Sequence, residues 1–374
     1  MNYDANQQLA LGLVLAVMIF GVSLELRTAQ FLAVLRQPQP VLAGMLGQCL
    51  ILPWATLGVT LLVDLHPGLE LGLLLVACCP GGNLSNVMTH LARGNTALSM
   101  SMTALSSLLA LVLLPFNFAV TSSLNPEGAA YLAGRLDALA MDRGGLLVSV
   151  LLLLGLPLAL GMLVGNLWPR WATRAMPWFK RFALLAFVVF VAGAVAGNWR
   201  LFVDNLGLVF FIVVLHNASA IVLGWLMAVL ARQHGANRRA MVIEISMHNS
   251  GLALGLIFAQ FGGEPNMALV AAFWGTWHLV SGLLLVAYWR NRPLPEAVPA
   301  CASLSPAAPA SSAGNWWRPW PRATRTGRCW PPTCASGRHP RAWPGPGSMS
   351  ARPGRCMTAS APGVRTPSST WPRW

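Results

Sequence analysis

The chain has 374 residues, of which 55% are hydrophobic and only 10% charged, at a mean hydropathy of +0.58. Soluble globular chains carry roughly 25% charged residues, so this composition excludes that class and points to an integral membrane protein. The formal charge of +14 is no nucleic-acid signature, because residues 293–374 hold ten Arg and a single acidic residue and leave residues 1–292 with a net charge of only +5.

A bilayer crossing needs about 20 apolar residues. That criterion predicts spans near 8–25, 40–63, 69–92, 95–119, 144–166, 182–199, 205–231, 240–262 and 267–289, an all-α chain of nine crossings. Met1 to Gln8 runs into the first span without a small-residue cleavage pattern, so that span is expected to be retained. Of the 15 Lys and Arg residues before residue 293, all but Arg135, Arg143 and Arg200 fall on one side of these spans. The positive-inside rule then places the N-terminus outside and the C-terminus in the cytoplasm of a cell that holds the chain in its inner membrane.

Taken in order, span 40–63 carries Gln48 five residues before Pro53, a polar group and a kink in one apolar helix. Taken alone, Gln48 reads first as an amide satisfied by a neighbouring helix. Span 69–92 is interrupted by Pro80-Gly81-Gly82 and resumes at Asn83. Lipid cannot satisfy the backbone groups such a break frees, so it must lie within protein or line a wet cavity. Span 95–119 sets Ser99 and Thr103 on one face, although membrane hydroxyls usually bond back to their own helix. The stretch from Thr121 to Asp142 reads as a long loop between two halves of the fold.

Span 240–262 contains Glu244-Ile245-Ser246-Met247-His248-Asn249-Ser250-Gly251. A carboxylate at membrane depth marks a functional site by default. The plainer reading pairs Glu244 with Arg239, about 8 Å away along a helix. Gly251 is the expected second helix break. Two interrupted spans are the pattern of inverted-repeat transporters, whose sites lie where the half-helices meet. Carbonyls freed at the end of one half-helix, together with carboxylate, amide and hydroxyl oxygens, suit a hard cation, and N–H groups opening the next half-helix attract an anion. The other class to weigh is an intramembrane thiol enzyme using Cys78 or Cys79, but His90, His216, His248 and His278 lie on separate segments. The cysteines form neither a disulfide framework nor a metal-ligand spacing.

The stretches CCPGGNLSNVMTHLARGNTALSMSMT and EISMHNSGLA, with Gln48 and Pro53, His216-Asn217 and Trp277-His278 through Gly282, resemble the bile acid:sodium symporter family in its bacterial branch, over about residues 8–290. The resemblance implies a core domain with two crossing, unwound helices, a smaller panel domain, and alternating access. It implies a first sodium site at Ser85, Asn86, Ser99, Thr103 and Glu244. It implies a second at Gln48, Glu244, backbone carbonyls near Ile245 and Met247, and position 248, where the family usually has Gln and this chain has His248. An imidazole nitrogen is a poorer ligand for a hard cation than an amide oxygen, and a proton that partly replaces the second sodium is the resulting expectation. Asn83 stands where Thr is usual and Leu279 where Asn is usual. The substrate contacts are expected at Asn83, Leu84, Asn249, His278 and Leu279. The function implied is a sodium-coupled symporter importing an organic anion such as a bile acid, pantoate or another small carboxylate, with sodium as coupling ion and no other cofactor. A proton-coupled transporter or a non-transporting receptor on the same fold is the alternative. Bacterial members often have ten spans, so nine implies either the animal arrangement or a start site called late.

Residues 293–374 contain seven Trp and abundant Pro, Gly, Ser and Ala with almost no aliphatic periodicity. Such a segment cannot bury a core. It is expected to be a disordered cytoplasmic tail, and its composition suggests an out-of-frame reading of GC-rich DNA.

Overall fold

A computed structural model of the chain describes residues 5–138, 143–197 and 199–292. The tail expected after residue 292 lies outside the described residues. Within them the chain is helical and holds no strand, only one isolated bridge. Among the described residues six helices are long and apolar enough to cross a membrane, and three shorter apolar helices fall within the other expected spans.

In chain order, α1 (Ala5–Ser23) leads through a short α2 (Thr28–Arg36) to α3 (Pro38–Leu46), which continues as a π-helical turn (Gly47–Ile51) into α4 (Leu52–Thr60). Pro53 explains the wide turn. Proline has no N–H to give the carbonyl four residues back and its ring crowds that oxygen, so the backbone opens there and frees the Cys49 carbonyl. Asn117 Nδ2 takes up the freed oxygen at 2.7 Å.

The first broken span is α5 (Pro67–Cys78) followed by α6 (Asn83–Leu91). A long α7 (Thr96–Leu124), capped by the Asn95 side chain at Leu98 N, returns across the fold. The expected loop after Thr121 is instead the end of α7 and a further helix, α8 (Pro126–Ala138). Its start is encoded by the Asn125 side chain, whose Oδ1 accepts from Gly128 N at 2.8 Å, and by Pro126 at a first-turn position where no N–H is missed. Next come α9 (Arg143–Leu167), α10 (Pro169–Gly197) and α11 (Trp199–Leu230). The second broken span is α12 (Gly235–Ser246) and α13 (Ser250–Gln260), and α14 (Pro265–Arg290) closes the described chain. Its break comprises Met247, His248 and Asn249 rather than Gly251. The Asn249 side chain caps α13 by accepting from Leu252 N at 3.0 Å, which starts the helix before Gly251 is reached.

The largest buried cluster joins α5, α13 and α14, with α1 and α9 against them. Many aliphatic residues of α9 and α10, by contrast, face outward. Val148, Leu152 and Leu156 of α9, and Leu184, Leu185, Val188 and Val189 of α10, are all more than half exposed. Soluble monomers rarely expose contiguous apolar area on this scale, and lipid is the solvent that accepts it. The chain is an all-α integral membrane protein.

Candidate functional site

The two breaks cross. Gly81 and His248 form an antiparallel bridge, and Asn249 N donates to the Pro80 carbonyl at 2.9 Å. Each break thus satisfies part of the other's exposed backbone, which is how irregular chain survives away from water.

Beside the crossing sits Glu244, in the last turns of α12 and fully buried. Its Oε2 accepts from Ser85 Oγ at 2.7 Å and Ser99 Oγ at 2.7 Å, and its Oε1 from Thr103 Oγ1 at 2.6 Å. The hydroxyls come from α6 and α7, so three helices converge on one carboxylate. Each hydroxyl has one proton. The Ser85 oxygen also lies 2.6 Å from the Gly82 carbonyl, and that of Thr103 lies 3.1 Å from the Ser99 carbonyl and 3.2 Å from Asn86 Oδ1. More oxygens therefore gather here than there are protons to share. A carboxylate in such a place is costly unless paired, and an oxygen-rich cluster is the ligand set of a hard cation. Gly81 leaves the room: a Cβ there would strike Glu244 Oε1 and lie 3.2 Å from Gln48 Nε2.

The plainer pairing of Glu244 with Arg239 is absent. Arg239 donates instead to the carbonyls of Ala92 at 2.8 Å, Trp289 at 3.1 Å and Arg292 at 2.9 Å. It ties together the C-terminal ends of α6 and α14, where a cation is favoured.

Gln48, on the π turn, donates from Nε2 to the Glu244 carbonyl at 3.3 Å, while its Oε1 is buried without a partner. Ile245 and Met247, which follow Glu244 into the break, are buried. His248 is 1% exposed with neither ring nitrogen bonded, and its ring lies edge-on to Trp274 with centroids 5.7 Å apart. The residues of the expected second cation set are therefore neighbours, but position 248 contributes no oxygen.

Asn83, Leu84, Asn249, His278 and Leu279 all line one cavity of about 670 Å³, together with Pro80 and Gly82 of the first break and Gly251 in the first turn of α13. Asn86 lines it too, and so joins the carboxylate cluster to the cavity. The first turns of α6 and α13 open on it, and helix N-termini carry unpaired N–H groups and partial positive charge. The Asn249 oxygen is occupied by its cap, so its amide N–H₂ is the part left to offer a ligand. His278 is fixed by a 2.6 Å contact from Nδ1 to the Trp274 carbonyl. One end of the cavity is polar and hydrogen-bond donating, and the rest is mainly aliphatic and aromatic.

A family model described as the Sodium Bile acid symporter family matches residues 12–205. The chain belongs to that family. A Bacillus subtilis protein described as an uncharacterized sodium-dependent transporter is 32% identical over 278 residues, 74% of this chain and 82% of its own length. A sodium-dependent organic anion transporter of Rattus norvegicus is 30% identical over 281 residues, 74% of this chain and 72% of its own length.

This family member is a membrane transport protein and not an enzyme. Cys78 and Cys79 are packing residues of the α5 end, both buried in the main apolar cluster. Several contacts near the site escaped the sequence reading, which had noted His216-Asn217 but not their partners. Thr56 Oγ1 meets His216 Nε2 at 2.7 Å, and Asn217 Nδ2 donates to the Ser246 carbonyl at 2.8 Å, holding the end of α12. Asn117 had a signal, since a polar side chain in an apolar span was available to the carbonyl that Pro53 must free. Lys180 and Glu25, 2.5 Å apart on the cavity wall, had none, because nothing in their spacing brings α10 to the end of α1.

Proposed function

We propose that the chain is a sodium-coupled symporter that imports an organic anion, with nine crossings, the N-terminus outside and the C-terminus in the cytoplasm of a cell whose inner membrane it occupies. The observation that carries this reading is the buried Glu244 carboxylate, held by three hydroxyls at a helix crossing that opens into a cavity lined by two helix N-termini. Sodium is held by Glu244, Ser85, Ser99, Thr103 and Asn86. Its charge cancels that of Glu244, and the ion draws the hydroxyls and the Gly82 carbonyl into one arrangement. That orders the start of α6, where Asn83 and Leu84 face the cavity. The anion binds there and against Asn249, His278 and Leu279. Coupling follows because one set of backbone serves both ligands, and each binds better once the other is in place.

A second cation set comprises Gln48, Glu244, the carbonyls of Ile245 and Met247, and position 248. With His248 in place of an oxygen donor, this set holds sodium weakly. A proton carried by His248 gains no support from its surroundings, since neither ring nitrogen has an acceptor. The substrate class is a carboxylate with an apolar body.

Purified protein in proteoliposomes tests the reading. An inward sodium gradient should drive uptake of a labelled carboxylate from a panel including pantoate and a bile acid, and exchange should persist as counterflow. Sodium-dependent binding without counterflow would identify a receptor instead, and uptake equal in potassium would end the sodium reading.

A further inference from the structure

The helix α10 has 29 residues, roughly 43 Å at the helical rise, against about 30 Å of bilayer hydrocarbon. Its first turns therefore extend into the headgroup layer. One face of the helix is committed to protein: Ala172, Ala186 and Phe190 are buried, and Phe179 packs on Phe20 with ring centroids 5.4 Å apart. The opposite face is bare and runs Arg170, Arg174, Trp178, Arg181, Leu185, Val189, spaced four, four, three, four and four residues apart. Trp178 is 69% exposed and Leu185 62%. The stripe thus changes from guanidinium and indole to pure aliphatic within one turn. Arg181 lies over the Trp178 ring at 5.3 Å, while Arg170 and Arg174 have no hydrogen-bond or ion-pair partner among the described residues. No Asp or Glu occurs between Asp142 and Asp204 to neutralise them. Three unpaired guanidiniums beside an exposed indole, with a bare aliphatic ridge directly beneath, match the two chemistries of a single molecule: a phosphate headgroup and its acyl chains.

We propose that this face of α10 is a binding site for an anionic phospholipid. The headgroup lies among Arg170, Arg174 and Arg181 with Trp178 at the level of the ester bonds, and an acyl chain runs along Leu185 and Val189. The opposite side of the same helix places Phe179, Lys180 and Ala183 on the cavity wall, so lipid occupancy also steadies one wall of the transport cavity.

The test is native mass spectrometry of the full chain extracted from nanodiscs of phosphatidylcholine with one-fifth phosphatidylglycerol. The combined variant Arg170→Gln, Arg174→Gln, Arg181→Gln should retain at least about tenfold less phosphatidylglycerol than the parent, at about a fivefold loss per cation near an anionic surface, with phosphatidylcholine unchanged. Arg290→Gln, at the end of α14, should retain parental amounts. Equal retention by the triple variant would overturn the site, and so would an equal loss in Arg290→Gln, which would show only general attraction of basic residues. A monodisperse elution profile confirms that each variant is folded, and Trp178→Leu supplies a charge-neutral check with the same expected direction.

Discussion

Replacing Glu244 by Gln separates a cation site from a merely structural hydrogen-bond network. In the wild type, three hydroxyls spend their protons on this carboxylate within 2.6–2.7 Å. An amide of the same shape keeps that network, because a hydroxyl can rotate to accept from the new N–H₂ as readily as it donates to the remaining oxygen. The fold should survive, and without sodium the variant should be at least as stable as the wild type, since a buried charge has been removed. What disappears is the attraction for a cation. Two unit charges about 4 Å apart at an effective dielectric of about 20 interact by roughly 4 kcal/mol, a loss of about 1,000-fold in sodium affinity. At a sodium concentration about 100 times the wild-type dissociation constant, sodium stabilises the folded protein by about 2.7 kcal/mol, and in the variant by less than about 0.1 kcal/mol. The assay is thermal unfolding of both proteins in sodium and in potassium at equal ionic strength. A Gln variant that sodium stabilises as much as the wild type would refute the assignment of Glu244, as would a variant that fails to fold in either salt.

Gly81→Ala forces a methyl group onto Glu244 Oε1 and Gln48 Nε2; about 1–3 kcal/mol of overpacking should appear as a lowered unfolding midpoint together with loss of sodium-driven uptake. Asn117→Ala leaves the Cys49 carbonyl unpaired and should cost about 1–3 kcal/mol in denaturant unfolding, a cost absent when Pro53 is also replaced by Ala and the N–H restored. His248→Gln supplies an oxygen donor to the second cation set, so sodium dependence of uptake should become steeper; an unchanged curve would mean that position 248 is not a ligand. Within α8, burial and the Glu264 carboxylate at 2.7 Å push the Tyr131 phenol up from 10.0 to about 12. The unfolded chain therefore loses this proton first, and stability should fall as pH rises from 10 to 12. Tyr131→Phe should remove that part of the decline, seen by comparing the two midpoints across this range.

What could be read from the sequence was whatever local chemistry forces. Pro80-Gly81-Gly82 cannot continue a helix, and a carboxylate such as Glu244 is not left in an apolar span without partners, so the first break and the acidic group were visible as residue types. That Ser85, Ser99 and Thr103 all reach Glu244 was legible only through resemblance, because residues 141 to 159 positions apart in the chain share no spacing rule. The second break was misplaced at Gly251 because Gly is the stronger sequence signal. The side-chain cap of Asn249 nevertheless starts α13 earlier, so the unwound residues precede it. The mixed charge of the stretch after Thr121 suggests loop, although Asn125-Pro126 is a helix start. The choice between Arg239 and hydroxyls for Glu244 needed the fold, since five residues along one helix allow the pairing but the carbonyls at the ends of α6 and α14 compete for the same guanidinium.

In the proposed mechanism sodium and an organic anion bind at one crossing and favour each other. The most direct measurement is thermal shift of the purified protein in sodium and in potassium, across a panel of carboxylates. An anion should stabilise the protein in sodium and leave it unchanged in potassium. Equal stabilisation in both salts would contradict that mechanism.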